Sequence, residues 1–346
     1  MRACIPIAFK PEGGGQYFLQ AFRAHLEAAG HSVTARVADR YDVLFTNHWL
    51  VPLRAILRGI RHNPHLRIVQ RIDGSATDYG RFGDADQRQH EVNALADLTI
   101  FQSRYCRWST REKFPVIAQD GPVIHNPVDL RRFTPEGPTM DPIGGPAATR
   151  VVAVSWSTNP KKGAASVYEV ARRHPEVAFY LCGRFPDAPA LPNLHALGVL
   201  DRDRLPVVLR SCHALLTFSE NEACPNHVLE ALAAGLPILY ADSGATREVV
   251  ADCGLDVTIA TFGRRLDQLA SDWAAWTARS RQRAIEQFDP EVIFARYITE
   301  IEAARARPPR VPDRTRFVWA LGGPAAAWWL GRRRWDEVGP RAEAAL

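Results

Sequence analysis

The sequence lacks several features that would place it in a specialised class of protein. Its six cysteines form no C-x-x-C pair, which disfavours a zinc site or a disulfide framework. It has no run of the roughly 18 to 20 apolar residues that a membrane span needs, and the nearest approach, residues 317–330, is interrupted by glycine and proline. Before residue 331 it also has no dense run of Lys and Arg with interleaved aromatic residues, so we expect no binding to nucleic acid.

The charge balance and the N-terminal segment set further limits. Lys and Arg number 43 against 38 acidic residues, and the net charge of +5 suits phosphate-bearing ligands or an anionic membrane surface. The first residues, MRACIPIAFKPEGGG, lack the basic, apolar and small-residue regions of a signal peptide. We therefore expect a cytoplasmic protein whose cysteines are free thiols.

The hydrophobic pattern predicts two domains, in keeping with a length of 346 residues. Short apolar runs alternate with amphipathic segments, stop at a segment rich in Pro and Gly at 134–149, and then restart. We predict an α/β protein in which two Rossmann-like, doubly wound domains face a cleft. The predicted N-terminal domain spans 1–140, the C-terminal domain 150–300 and a helical C-terminal tail 301–346.

Individual strands and helices can be assigned from the same pattern. Ligands of such sheets bind beyond the carboxyl ends of the strands, so these ends matter most. The apolar runs predict strands at 4–9, 31–37, 42–48, 66–72, 98–103 and 122–128, then at 150–156, 177–183, 213–219 and 236–242. Helices are predicted at 16–30, after about 265, and from Pro290 onwards.

The segment 218–250, FSENEACPNHVLEALAAGLPILYADSGATREVV, carries the clearest functional signal. A predicted strand ends at Ser219, and Pro225 opens a helix that ends at Gly235. The start of such a helix offers free backbone N–H groups and a partial positive charge, which is where a diphosphate binds. Asn226 and His227 stand in the first turn, where they either contact the phosphate or only cap the helix.

Glu222 and Glu230 flank this helix start. If both lay on one continuous helix, their eight-residue spacing would separate them by about 80° around its axis, so they cannot form a stacked pair. Glu222 instead lies in the loop before the helix, and Glu230 lies inside it. We expect one carboxylate to reach a sugar and the other a ribose, with a diphosphate between them.

The E-x7-E spacing, followed by A-L-A-A-G-L-P and D-S-G-A-T-R-E, resembles the donor site of family 4 retaining glycosyltransferases of the GT-B fold. In that family the first Glu contacts the transferred sugar and the second binds the donor ribose, which implies these roles for Glu222 and Glu230. Residues 123–135 are similar to the family's interdomain signature, with Pro127 in place of the usual Gly. Lys162 and Gly163 match its Lys-Gly pair, and the resemblance implies that Lys162 stabilises the leaving diphosphate.

The resemblance implies transfer from a nucleotide-diphosphate sugar with retention of configuration, and it implies neither a metal nor a cofactor. It leaves the acceptor open: a carbohydrate, a lipid-linked compound or a small molecule. Two positions depart from the family pattern. Ser157 stands where the family has Arg, so Arg184 is the candidate for a second cation. Asp73 stands where a first-domain His is expected, and the base is Asp73, His48 or His125.

The predicted site is therefore a set of residues drawn from both domains. Gly13, Gly14 and Gly15 form either a phosphate or acceptor loop or an ordinary tight turn. The predicted catalytic residues are Glu222, Lys162 and Asp73, and the predicted donor-binding residues are Glu230, Lys162, Gly163, Arg184, Pro225, Asn226, His227 and Val228.

Other interpretations remain at this level. A GT-B protein that binds a nucleotide sugar without turning it over, or an epimerase of nucleotide sugars, would share most of these residues. The segment 317–335 combines four tryptophans with Arg332 to Arg334, which is typical of a peripheral membrane anchor. It also fits a terminal helix that packs on the first domain.

Overall fold

A computed structural model describes residues 1–6, 14–47, 51, 53–63, 65–81, 83–141 and 148–310. Gly13, His48 and the segment 317–335, all named above, lie outside these ranges. Membrane contact through 317–335 therefore stays a prediction. Within the described ranges, no helix combines the length and the apolar character that a membrane span requires.

The first domain is built on a parallel sheet with the strand order β2-β1-β3-β4-β5. Strands β3, β4 and β5 are buried along their whole length, because helices cover both faces of the sheet. The strands are β1 (Arg2–Cys4), β2 (Ser32–Thr34), β3 (Val43–Asn47), β4 (Arg67–Ile72) and β5 (Leu98–Phe101). The helices are α1 (Gly14–Ala28), α2 (Leu53–His62), α3 (Ala85–Leu95) and α4 (Arg104–Trp108), and a π-helical turn (Ser109–Lys113) continues α4.

The second domain repeats this architecture with the strand order β11-β10-β9-β6-β7-β8. The order reverses between β6 and β9, so a crevice opens at their carboxyl ends, where ligands of such sheets bind. The strands are β6 (Thr149–Ser155), β7 (Val177–Gly183), β8 (Leu194–Gly198), β9 (Ala214–Thr217), β10 (Ile238–Tyr240) and β11 (Gly254–Asp256). The helices are α5 (Ala164–Arg173), α6 (Arg204–Arg210), α7 (Asn226–Ala233), α8 (Thr246–Val250), α9 (Phe262–Ala270) and α10 (Trp273–Phe288). The predicted fold class is confirmed.

Two predicted strands differ from the structure. The strand predicted at 4–9 lies at Arg2–Cys4, because these are the residues that pair with β2 and β3. Residues 122–128 form no strand, and only one bridge, between Phe101 and Val123, joins them to the sheet. Their apolar character has another cause: Ile124 is buried in the first core and Val128 in the second, where the chain crosses between the domains.

The last described helix, α11 (Pro290–Ala306), returns to the first domain. The Asp289 side chain accepts a hydrogen bond from the Glu291 amide (2.8 Å), and Pro290 occupies the first turn, as the sequence predicts. Buried side chains of α11, including Phe294 and Tyr297, pack into the core of the first domain. The chain thus re-enters the first core before residue 300, where the sequence analysis placed the end of the second domain.

Candidate active site

The loop after β6 brings Lys162 to the crevice. A single 3₁₀ turn, Pro160–Lys162, begins where the Asn159 side chain accepts a hydrogen bond from the Lys161 amide (3.0 Å). Gly163 follows with φ of +74°, and a Cβ atom there would lie 2.5 Å from Cβ of Phe218. Only glycine allows the loops after β6 and β9 to approach this closely. As a result, Lys162 lies beside Glu222, which is carried by the loop after β9.

The Glu222 side chain is buried (6 % exposed). Nζ of Lys162 donates to its Oε1, and the hydroxyl of Tyr79 donates to its Oε2 (2.8 Å). Burial alone would raise the pKa of the Glu222 carboxyl, but the charge of Lys162 and the two hydrogen bonds outweigh it and hold the pKa below 4.5. The carboxylate is therefore ionised at neutral pH.

The backbone of Glu222 is fixed by the D-S-G segment after β10. The Ala245 amide donates to the Glu222 carbonyl (2.8 Å), and the Asn221 amide donates to Oγ of Ser243 (3.0 Å). Gly244 has φ of +63°, and a Cβ atom there would lie 2.4 Å from the Glu222 nitrogen. This part of the sequence motif therefore shapes the loop that holds Glu222.

Tyr79, which the sequence analysis did not single out, joins the first domain to this site. Its hydroxyl also accepts from the Ala223 amide (3.2 Å), and its carbonyl accepts from the Asn159 side chain (3.1 Å). Burial, with a smaller contribution from the charges of Glu222 and Asp73, raises the pKa of the Tyr79 hydroxyl. The hydroxyl therefore stays protonated and acts as a donor to Glu222.

The segment just before Tyr79 is held by two buried carboxylates. Asp86 of α3 accepts from the Ser75 hydroxyl (2.7 Å) and the Thr77 amide (2.9 Å). Asp78, the residue before Tyr79, accepts from Nζ of Lys113 and from the Ser109 hydroxyl, both at 2.6 Å. Because the segment follows β4 without any periodic pattern, the sequence offers no local signal that Tyr79 contacts the second domain.

Replacing Tyr79 with Phe tests this contact. The change keeps the ring but leaves Oε2 of a buried carboxylate without its donor, so we expect a loss of about 1–3 kcal/mol in the free energy of unfolding. The pKa of Glu222 should also rise. The matched control is Tyr168→Phe, because the Tyr168 hydroxyl donates to a neutral carbonyl, that of Pro186 (2.7 Å), elsewhere in the second domain. If urea denaturation showed equal losses in the free energy of unfolding for the two variants, the hydrogen bond of Tyr79 to a buried carboxylate would contribute no more than one to a neutral carbonyl.

Two other candidate bases lie among the described residues. Asp73 is half-buried just beyond β4, and its charge contributes to the raised pKa of the Tyr79 hydroxyl, which contacts Glu222. His125 pairs with Glu248 (2.9 Å), and Glu248 also accepts from the Arg104 amide at the start of α4 (3.0 Å). Glu248 and His125 thus form a contact between the domains.

The start of α7 offers unused backbone donors to the crevice. Among the described residues no acceptor contacts the amides of Asn226 or His227, whereas the amides of Val228 and Leu229 donate to the Pro225 carbonyl (3.0 and 3.3 Å). His227 is buried against the Thr217 hydroxyl (3.1 Å), and burial lowers its pKa to about 4, so its ring is neutral. Two free amides at a helix start suit an anionic group.

Two residues of the predicted donor-binding set take no part in this geometry. Val228 is fully buried in the second core, because the helix must cover the sheet, and its amide is already bonded. Arg184 is exposed, and its amide donates to the Ser155 carbonyl (2.7 Å). Its side chain makes no contact with Lys162 or Glu222 in the described part of the chain. Gly14 and Gly15 begin α1.

Glu230 lies one turn inside α7, about 6 Å of helix rise beyond Asn226. Its Oε2 is buried and has no hydrogen-bond partner among the described residues. Burial raises the pKa of this carboxyl to about 8, against a weaker opposing effect of the Arg202 charge. The Arg202 guanidinium lies 4.1 Å from the centre of the Tyr17 ring, which belongs to α1. Glu230 is thus placed near the boundary of the two domains.

Comparison with known proteins agrees with this geometry. Residues 146–286 match the model of the family described as Glycosyl transferases group 1, and this range contains Lys162, Glu222 and Glu230. No curated protein sequence matches the chain significantly.

Solved structures share the fold at low sequence identity. Sucrose-phosphate synthase from Thermosynechococcus elongatus aligns with a TM-score of 0.71 and 16% identity, over 88% of this chain and 99% of that chain. HepE from Anabaena, in complex with UDP-glucose, aligns with a TM-score of 0.67 and 16% identity, over 87% and 99%. WaaG, a glycosyltransferase involved in lipopolysaccharide biosynthesis, aligns with a TM-score of 0.60 and 14% identity, over 86% of this chain and 98% of that chain. These similarities extend across both domains and show the GT-B fold.

Proposed function

We propose that the chain transfers a sugar from a nucleotide-diphosphate sugar to an acceptor, with retention of configuration and without a metal. The match of residues 146–286 to the glycosyl transferases group 1 model and the GT-B fold support this proposal. The observation that carries this proposal is the contact of Lys162 and Tyr79 with the buried Glu222 carboxylate, beside the free amides that open α7. Cation, acid and helix start thus come together where the strand order reverses.

Each group has a separate task in the proposed reaction. Lys162 and the amides of Asn226 and His227 stabilise the negative charge that builds up on the leaving diphosphate. The Glu222 carboxylate accepts hydrogen bonds from hydroxyls of the transferred sugar and is kept ionised by Lys162. The acceptor hydroxyl approaches from the first domain, on the side of Tyr79 and on the face from which the diphosphate departs. Its oxygen bonds to the sugar carbon as the bond to the diphosphate breaks, and its proton passes to an oxygen of the departing diphosphate.

Glu230 is the proposed ribose ligand. A buried oxygen without a partner is costly, and two ribose hydroxyls would satisfy it with hydrogen bonds to the carboxylate. Bound hydroxyls favour the ionised form, so nucleotide affinity should increase as the pH rises towards 8, the approximate pKa of this carboxyl.

Replacing Glu230 with Gln should therefore separate stability from binding. The folded protein keeps the Glu230 proton up to about pH 8, while the ordinary pKa is 4.5. The stability that this proton contributes is present below pH 4.5 and is lost as the pH rises through about 8. Glu230→Gln should thus be more stable than the wild type at pH 9 and equally stable near pH 4, as measured by thermal unfolding. We expect its affinity for UDP to fall by about tenfold or more. An unchanged affinity would rule out the ribose assignment.

The proposed reaction is tested by a panel of UDP-, GDP- and ADP-sugars on the purified chain. Binding raises the thermal stability of the folded state, and release of the nucleoside diphosphate reports turnover, with and without EDTA. UDP-glucose is the first donor to test, because the structurally similar HepE was solved with it. Release that Glu222→Gln abolishes, and that EDTA leaves unchanged, supports the proposal. Binding without release in any condition would instead favour a nucleotide-sugar-binding protein.

A further inference from the structure

A buried arginine in the first domain has no function in the mechanism so far. Arg71, on the central strand β4, is 1% exposed. Its Nε donates to the Tyr297 hydroxyl (3.1 Å), and its two Nη atoms donate to Oδ1 of Asn47 and of Asn126 (2.5 Å each). The guanidinium also lies 3.8 Å from the centre of the Phe18 ring.

All of these partners are neutral. With its amide turned to the orientation that suits its neighbours, Gln102 adds a fourth neutral oxygen, 3.1 Å from Nη1. Within the described ranges, no carboxylate lies at ion-pair distance from Arg71. Taking a charge out of water without a counter-ion costs several kcal/mol, and a guanidinium cannot avoid this by losing its proton. Among the described residues Arg71 therefore carries a positive charge without a directly paired carboxylate, and an anionic ligand nearby would stabilise it.

A short hydrogen-bonded path leads from this charge to the start of α7. Asn126 accepts from Arg71 through Oδ1 and donates through Nδ2 to Oδ1 of Asn226 (2.8 Å) and to the Cys224 carbonyl (3.3 Å). The orientation of the Asn226 amide is thereby fixed, and its Nδ2 has no acceptor in the described part of the chain. This Nδ2 group therefore lies at the first residue of α7, next to the two free backbone amides.

We propose that Arg71 is a positioning residue that supplies counter-charge to the donor diphosphate through Asn126 and Asn226, without touching the ligand. This inference rests on the proposed function, because it places the diphosphate at the start of α7. It predicts that the contribution of Arg71 to binding grows with the negative charge of the ligand. A residue that only supports the fold would affect a nucleoside and its diphosphate equally.

The test compares ligands of increasing charge on the full chain. Dissociation constants for uridine, UMP and UDP are measured by calorimetry for the wild type, Arg71→Met and Arg71→Lys; the guanosine or adenosine series replaces them if the wild type prefers GDP or ADP. For Arg71→Met we expect UDP affinity to fall about tenfold, UMP affinity about threefold and uridine affinity less than twofold. Arg71→Lys keeps the charge and should retain most of the UDP affinity.

Asn226→Ala keeps the proposal testable if Arg71→Met does not fold, because it removes only the end of the path. It should weaken UDP binding several-fold and leave uridine binding unchanged. Equal losses for all ligands in either variant, or no loss in Asn226→Ala, would overturn the role of Arg71. Failure of the wild type to bind UDP, GDP or ADP would instead overturn the proposed function itself.

Discussion

Replacing Lys162 with Met is expected to lower the rate of sugar transfer by about 10²–10³-fold, the size of effect seen when one preorganised donor to a developing negative charge is removed. Two physical losses combine in this variant. The leaving diphosphate would lose the cation that we propose stabilises it, and the buried Glu222 carboxylate loses the charge that holds its pKa down. The amides of Asn226 and His227 remain, so some activity should persist.

The neighbouring lysine provides the matched control. Nζ of Lys161 lies 3.2 Å from the exposed Glu220, and such surface pairs contribute little. Lys161→Met should therefore retain at least about half of the wild-type rate. The rate constant is measured at saturating donor, with unfolding followed in parallel. Similar rates in the two lysine variants would contradict the assignment of the leaving-group role to Lys162.

The pH dependence gives a second readout of the same variant. Without Lys162, burial dominates, and the folded-state pKa of Glu222 should rise above 4.5. A raised pKa contributes stability that is lost as the pH increases through it, so Lys162→Met should lose stability relative to the wild type as the pH rises above 4.5. Its residual activity should increase over the same interval, because the ionised fraction of Glu222 grows. The wild type should lack this additional trend, because its Glu222 is already ionised, whereas the contribution of Glu230 is common to both proteins.

The sequence predicted the interior of the fold better than its edges. Strand β7 lies at the predicted residues 177–183, since a strand covered on both faces is a continuous apolar run. Strands β8 and β11 were missed, because each lies at an edge of the sheet and is only partly buried. The helix from Pro290 was predicted correctly, but its apolar side chains could not show which domain they cover.

The candidate site was predicted only where the loops carry a recognisable motif. Lys162 and Glu222 lie on the two loops that flank the switch point of one domain, and the structure brings them into contact. Tyr79 comes from the other domain, and its position depends on how Asp78 and Asp86 anchor an irregular loop. Arg71 was read only as part of a strand, because a local pattern cannot show that its partners are all neutral.

These contacts show why the site depends on both domains together. The Tyr79 hydroxyl reaches Glu222, and Asn126 in the crossing segment reaches Asn226. Glu248 of the second domain accepts from the start of α4. Since α11 also packs into the first core, the relative position of the domains and the geometry around Glu222 are linked. A change that separates the loops after β6 and β9 should therefore affect both stability and transfer.

Replacing Gly163 with Ala is that change. The added Cβ would lie 2.5 Å from Cβ and 2.6 Å from the carbonyl oxygen of Phe218, at a residue whose φ is +74°. Backbone strain of about 1 kcal/mol and steric overlap of about 1–3 kcal/mol add to an expected loss of about 2–4 kcal/mol in the free energy of unfolding. The overlap is with the backbone and Cβ of Phe218, whose positions no side-chain rotation can change.

Gly198→Ala separates the two causes. Gly198 lies in the same domain with a similar φ of +69°, but a Cβ atom there would meet nothing within 4 Å. This variant should lose only the strain, about 1 kcal/mol, and keep its transfer rate. Gly163→Ala should lose activity even below its unfolding temperature, because the two loops must move apart and carry Lys162 away from Glu222. If urea denaturation gave the same loss in the free energy of unfolding for both variants, backbone strain alone would account for the effect of Gly163→Ala. Close approach of the two loops would then not be required for the site.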